Sequence, residues 1–178
     1  MQGRLPKRKG IRLKGYDYSQ NGAYFITICS HNRETIFAEI SVGQGLCSCR
    51  TTPIGGIIEE EIIALPARYP YVAVDQYAIM PNHVHMTIMI DRMQQGWRQE
   101  QSPCPTGTIG DVVCALKSIT TKRANQCDGM KGRKIWQARY HDRIIRDEAE
   151  YLKIWQYIDE NPARWVEDVY FENGEKRV

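Results

Sequence analysis

The sequence predicts an α+β fold: a ferredoxin-like or RRM-like antiparallel sheet in the order β-α-β-β-α-β, helices on one face, and a further helix at the C-terminus. Three observations lead there. Strand-length runs rich in aromatic and β-branched residues alternate with stretches of helical spacing, the two central strands are separated only by Pro81-Asn82, and an amphipathic helix follows the last strand. At 178 residues the chain is long enough for one domain with a full core and too short for two ordinary ones. A basic arm over 1–14, one domain over 15–170 and a tail over 171–178 are expected.

Tyr24-Phe25-Ile26-Thr27-Ile28-Cys29 reads as the first strand. A loop carrying Gly43, Gly45 and Pro53 follows. Residues 54–68 place Ile57, Ile58, Ile62 and Leu65 at helical spacing, which leaves Glu59, Glu60 and Glu61 for solvent, and Pro70 marks the end. Residues 72–80 and 83–90 read as two strands joined by a tight turn at Pro81-Asn82. The Gln-, Gly- and Pro-containing stretch from Met93 to Gly107 reads as a loop. Thr108, with Asp111 three residues on, is an N-cap for a helix to about Asn125 that buries Val112, Leu116 and Ile119 and exposes Lys117, Lys122 and Arg123. Ile135 to Ile145 reads as the fourth strand, and Asp147 caps a last helix to about Glu160.

Charge is strongly segregated beneath a net +3. Residues 1–14 carry six Lys or Arg and no acid, residues 115–146 carry nine against Asp128 and Asp142, and residues 147–178 carry nine acids against four bases. Such blocks attract polyanions, and nucleic acid is the commonest one in the cytoplasm; an isolated block is more often a solvated face, and the polyanion reading gains force only beside a chemical site. The start of the chain is basic, with no apolar run of signal-peptide type. No stretch approaches a membrane-spanning length, so a cytoplasmic protein with no membrane partner is expected. Six cysteines without a C-x-x-C pair read as reduced, mostly structural thiols; Cys47-Ser48-Cys49, assigned to a loop, is the one pair placed to clip a metal or form a disulfide.

The chemistry centres on His83-Val84-His85. Alternate strand residues share a face, so His83, His85 and Thr87 point one way and Val84, Met86, Ile88 and Ile90 the other, and the two histidine Cα atoms stand about 7 Å apart. Two of only four histidines thus sit side by side. Two neutral imidazoles and an oxygen ligand suit a divalent ion with open positions, Mg²⁺ or Mn²⁺ where the substrate supplies oxygens. Structural histidines or a structural zinc fit the same pair. In the last helix Tyr151, Ile154, Trp155 and Ile158 form the apolar seam, while Lys153, Tyr157, Glu160, Asn161 and Arg164 lie on a polar face. Pro162 biases Asn161 away from helical geometry. A phenol is a poor nucleophile at its ordinary pKa of about 10, so Tyr157 would need a polarised phosphate to act as one.

These residues resemble a known family. His83-Val84-His85, the segment Tyr157-Ile158-Asp159-Glu160-Asn161-Pro162, Gly15-Tyr16-Asp17-Tyr18 before the first strand, and Tyr140-His141-Asp142-Arg143-Ile144-Ile145-Arg146-Asp147 together are similar to the REP-associated tyrosine transposases, which group with the single-tyrosine HUH transposases of small insertion sequences. The resemblance spans about residues 11–170. It implies a site-specific endonuclease and strand transferase on single-stranded DNA, with His83, His85 and Asn161 as metal ligands and Tyr157 as the nucleophile that forms a 5′-phosphotyrosine link. It also implies recognition of a DNA hairpin and a nearby guanine-containing tetranucleotide, by a monomer or a homodimer. Lys117, Lys122, Arg123, Arg139, Arg143, Arg12 and Lys14 are the DNA-contact candidates from the basic blocks. The stretches 39–53 and 92–107 look specific to this chain. A catalytically silent hairpin-binding protein of the same fold is the alternative, and a small metalloprotein with a structural zinc is a third. His31 and His141 receive no role.

Overall fold

The computed structural model describes residues 17, 18, 20–43, 46–92 and 107–167, without the side chains of 42–48. The 1–14 arm with Arg12 and Lys14, Gly15-Tyr16, Met93 to Thr106 with Cys104, the side chain of Cys47 and the 171–178 tail lie outside the described residues. In chain order the elements are β1 (Gly22–Cys29), β2 (Ala38–Gly43), β3 (Leu46–Thr51), α1 (Pro53–Ile63), α2 (Leu65–Arg68), β4 (Val72–Ile79), β5 (His83–Ile90), α3 (Ile109–Cys127), β6 (His141–Ile145) and α4 (Glu148–Glu160). Short 3₁₀ turns lie at His31–Arg33 and Trp165–Glu167.

Strands β4, β5, β1 and β6 form one sheet in that order, with every neighbouring pair antiparallel. Each strand-helix-strand crossover therefore skips a strand, which is the interleaved ferredoxin-like order expected from the element sequence. The period-two alternation decides what lies on each face. Tyr24, Ile26 and Ile28 of β1 and Val84, Met86 and Ile88 of β5 meet Ile58 and Ile62 of α1 and Val112 and Leu116 of α3, none more than 1% exposed. Each buried aliphatic chain contributes roughly 1.5–3 kcal/mol. On the opposite face Ala78, Met80, Ile145, Ile154, Ile158 and Trp165 form a second cluster, so α4 covers the side of the sheet that carries the histidines.

Residues 38–51 form a β-hairpin, β2 paired with β3, where a loop is expected, and Cys49 is an exposed strand residue. Among the described cysteines Cys29 is buried, and Cys49, Cys114 and Cys127 are exposed. The hairpin returns the chain to Phe37, where α1 begins. Thr52 Oγ1 accepts from Gly55 N (3.1 Å) and donates to Ile36 O (2.7 Å), with Pro53 in the first turn. A Cβ on Gly55 would lie 2.0 Å from Phe37 O, so only glycine allows this approach.

The expected helix over 54–68 is two helices that meet at Ala64, because Pro66 has no N–H to continue the first. Nor is Glu61 exposed: it is 6% accessible and accepts from Arg68 Nη2 (2.7 Å) and Arg123 Nη1 (2.8 Å). Burial would raise its pKa, but the two guanidiniums outweigh that and hold the carboxyl below its ordinary value. On α3 the Thr108–Asp111 capping box forms, and the helix extends to Cys127. Ile119 is only half-buried, whereas Val112 and Leu116 are buried.

The fourth strand is shorter than the expected 135–145. Only His141–Ile145 pairs with β1; before it, Trp136 makes a single bridge with Ser30, and Lys117 Nζ donates to Gln137 O (2.7 Å) and Ala138 O (3.0 Å). A lysine thus serves carbonyls that a strand ladder would otherwise serve. In α4, Ile154 and Ile158 are buried and Tyr151 is half-buried, but Trp155 is 40% exposed. Trp165, from the turn after the helix, is the tryptophan that enters the second cluster. Among the described residues no helix is long and apolar enough to cross a membrane.

Two outcomes follow from this packing. Gly55→Ala should destabilise the fold by about 3 kcal/mol through overpacking against Phe37 O, measured by urea denaturation. Glu61→Gln should cost about 1–3 kcal/mol by leaving two half-buried guanidiniums short of an acceptor. Because the folded pKa of Glu61 is lowered, that difference should be full above the ordinary value of 4.5 and shrink as pH falls below it.

Candidate functional site

The site is assembled from β1, β5, the Met80–Asn82 connection and α4. β5 is buried on both faces, and His83, His85 and Thr87 are 0%, 1% and 0% exposed. The Nε2 atoms of His83 and His85 approach to 3.0 Å. Each Nδ1 has its own partner: Asn82 Oδ1 at 2.8 Å from that of His83, and Thr27 Oγ1 at 2.8 Å from that of His85. Thr27 faces His85 directly in the β1–β5 register. Burial holds His83 down to about 2, helped by the charges of His85 and Arg33, and burial alone holds His85 down to about 3. Both rings are therefore neutral bases at physiological pH.

Helix α4 brings the tyrosine to this pair. Between Val74 and Tyr77 the β4 ladder slips, and the irregularity turns Asp75 and Gln76 toward the helix. Asp75 accepts from Tyr151 OH, Gln76 Nε2 donates to Asp159 Oδ1 (3.3 Å), and Thr87 Oγ1 holds the backbone of Gln76. With Ile154 and Ile158 seated below, Tyr157 OH lies 3.2 Å from His85 Nε2. Phe25 stacks on His85 with centroids 5.3 Å apart and meets Tyr157 edge-on at 6.0 Å. The phenol is 43% exposed, so one side contacts the buried histidines and the other is open to solvent.

Asn161 adopts helical angles (φ −58°, ψ −42°), contrary to the bias expected from Pro162, because the chain keeps curling through Ala163 N→Glu160 O and Arg164 N→Asn161 O and ends on the buried Trp165. Its side chain is buried, and its Oδ1 makes no hydrogen bond. Asn161 lies between Tyr157, which touches His85, and Trp165, whose ring centroid is 5.9 Å from that of His83. Among the described residues no group of three or more His, Cys, Asp or Glu side chains could hold a metal ion, so a metal on the histidine pair would need a further donor of another type. An amide oxygen is a suitable hard donor. The histidine spacing also fits: ligand bonds of about 2.1 Å at right angles place adjacent donors about 3.0 Å apart, as in an octahedral ion.

The basic candidates divide. Lys117 and Arg123 are half-buried and spent on internal partners, the 137–138 carbonyls and the Glu60–Glu61 pair, on the helix layer across the sheet from the histidines. Lys122 and Arg139 are exposed. Arg143 is an exposed β6 residue on the histidine side, ion-paired with Glu150, and His141 is exposed two residues before it, opposite Thr27. Sequence reasoning gave no role to Thr27, Asn82, Phe25 or Trp165. Asn82 adjoins His83, but Thr27 became visible only once the β1–β5 register was known.

In metal-free buffer containing EDTA, the two depressed histidines should make the fold acid-sensitive. The unfolded chain takes up protons below the ordinary 6.5 that the folded chain refuses, so stability is lost as pH falls. Each imidazole should contribute about 1.4 kcal/mol per pH unit. Urea denaturation from pH 7 to pH 5 measures the slope, and His85→Gln should reduce it by about half.

No protein-family model matches the chain. An uncharacterized protein of Haemophilus influenzae is 35% identical over 170 residues, covering 90% of this chain and 91% of that protein. Among solved structures, a REP-associated tyrosine transposase bound to a REP hairpin aligns with 86% of this chain and 73% of its own at 17% identity, TM-score 0.58. A transposase candidate from Deinococcus radiodurans R1 aligns with 84% of this chain and 97% of its own at 16% identity, TM-score 0.46.

Proposed function

The chain belongs to the family of the uncharacterized Haemophilus influenzae protein, and we propose that it is a metal-dependent tyrosine transposase that cleaves and rejoins single-stranded DNA beside a hairpin. One observation carries the reading: Tyr157 OH lies 3.2 Å from the Nε2 of a buried histidine that is itself 3.0 Å from a second histidine Nε2. Packing alone would not bring a half-exposed phenol and two neutral, convergent imidazoles to one point. The fold shared with a REP-associated tyrosine transposase, a protein bound to a REP hairpin, supports a DNA hairpin as the partner.

In this reading His83, His85 and Asn161 hold Mg²⁺ or Mn²⁺, which when bound supplies a positive charge to polarise a phosphate oxygen. Phe25 and the α4 docking contacts fix the Tyr157 ring, and its open side admits the strand. The phenolic oxygen bonds to phosphorus, the bond to the 3′ oxygen breaks, the phenol gives up its proton and the departing 3′ oxygen takes one up. A 5′-phosphotyrosine and a free 3′-hydroxyl result, and attack by a 3′-hydroxyl reverses the step. Arg143 and His141, on the histidine side of the sheet, and the exposed Lys122 and Arg139 supply contacts to the polyanion.

Purified protein with Mn²⁺ should cut a single-stranded hairpin oligonucleotide and remain covalently attached to one product on a denaturing gel. Tyr157→Phe should abolish attachment, and wild-type cutting by that variant would remove Tyr157 as nucleophile. His83→Ala and His85→Ala should lose cleavage at least about 100-fold while keeping hairpin affinity, and EDTA should mimic them. Hairpin binding without cutting under any metal would instead favour the silent binding protein. Affinity should fall steeply with salt, with a log–log slope of about −0.7 per phosphate contacted.

A further inference from the structure

Two histidine nitrogens 3.0 Å apart and buried from water cannot both present lone pairs. Either a proton or a cation has to lie between them. The partners on the far sides of the rings decide which ring carries that proton. Asn82 Oδ1, 2.8 Å from Nδ1 of His83, can only accept, so His83 is protonated at Nδ1 and offers a lone pair at Nε2. The bridging proton then belongs to His85 Nε2, and Tyr157 OH, 3.2 Å from that same nitrogen, acts as an acceptor toward it. Its Nδ1 is left as an acceptor, facing Thr27 Oγ1 at 2.8 Å. A hydroxyl both donates and accepts, so Thr27 can donate to Nδ1 in this state and accept from a protonated Nδ1 in the other. Asn82 offers no such choice to His83. Thr27 is 3% exposed, and both imidazoles are fully buried.

We propose that Thr27 is a positioning residue that lets His85 move its imidazole proton from Nε2 to Nδ1, so that an N–H···N hydrogen bond holds the pair at ligand spacing until a divalent cation replaces the bridging proton. This rests on the metal reading of the site given above. One proton moves within one ring, none is gained or lost, and the Thr27 hydroxyl turns from donor to acceptor. The metal-free pair is thereby already spaced for a cation.

The full chain labelled with ¹⁵N-histidine and free of metal tests the first half. Long-range ¹H–¹⁵N spectra at neutral pH, assigned with single His→Gln variants, should show His83 protonated at Nδ1 and His85 at Nε2; His85 protonated at Nδ1 would overturn the proposal. Mn²⁺ affinity, read from the free-ion electron paramagnetic resonance signal, tests the second. Thr27→Val, isosteric but unable to accept from Nδ1, should bind Mn²⁺ about 10–100-fold more weakly, and Thr27→Ser should recover affinity to within about threefold of wild type. Equal affinity in Thr27→Val and wild type would overturn the role of Thr27 alone. No Mn²⁺ binding by the wild type would overturn both this role and the metal reading. Should Thr27→Val fail to fold, the wild-type spectra and the serine variant still decide the question.

Discussion

The alternation along β5 is the constraint on which the rest of this structure depends. A strand buried on one face has no means of pinning a second layer to the other. β5 is buried on both, with Val84, Met86, Ile88 and Ile90 in the main core and His83, His85 and Thr87 beneath α4. The apolar set anchors the strand so firmly that the polar set is held without freedom to adjust. A one-residue slip in register would exchange the two sets and leave three polar side chains in an apolar core. The position of the histidines therefore follows from the stability of the core behind them.

Burying polar groups in that second layer is costly unless each is matched, and most of its contacts are matches of this kind. Asn82 and Thr27 take the outer nitrogens of the two rings, Thr87 takes the backbone at the β4 irregularity, and that irregularity turns Asp75 and Gln76 toward α4. The helix is fixed by two apolar side chains and two polar tethers, and Tyr157 inherits its position from them. Asn161 Oδ1 is the exception, buried without a hydrogen bond. In a layer otherwise so fully satisfied, an open acceptor one turn beyond the tyrosine is the feature most in need of a ligand.

Positive charge in this chain serves two purposes that composition does not separate. Lys117 and Arg123 belong to the basic block of 115–146, yet one ties down an extended segment and the other neutralises the buried Glu61. Arg143, in the same block, stands on the histidine side of the sheet with its side chain 66% exposed. A block of like charge attracts polyanions as a whole. Which of its members face outward depends on which carboxylates and carbonyls lie within reach.

Features set by neighbours along the chain were legible in the sequence. The period-two pattern placed His83 and His85 on one face, the caps at Thr108 and Asp147 placed the helix starts, and the element order placed the strands in a ferredoxin-like sheet. Where expectation and structure part, a distant group has intervened. Glu61 is buried because Arg123 meets it from another helix, Trp155 is outside because Trp165 occupies the cluster, and Asn161 stays helical despite Pro162 because the turn after it is anchored. The 38–51 hairpin is the local exception: its pairing lies wholly between neighbours along the chain, but Gly43, Gly45 and Pro53 carry the composition of a loop. By itself the sequence determined that two histidines share a strand face and that a tyrosine lies in the last helix with an asparagine four residues on, at its expected end. Only the tertiary structure decided that these pairs meet, and that Thr27 lies behind one of them. Side-chain periodicity is a property of local backbone geometry, whereas the 3.2 Å between Tyr157 and His85 spans 72 residues of sequence and is set by the docking of one whole element on another.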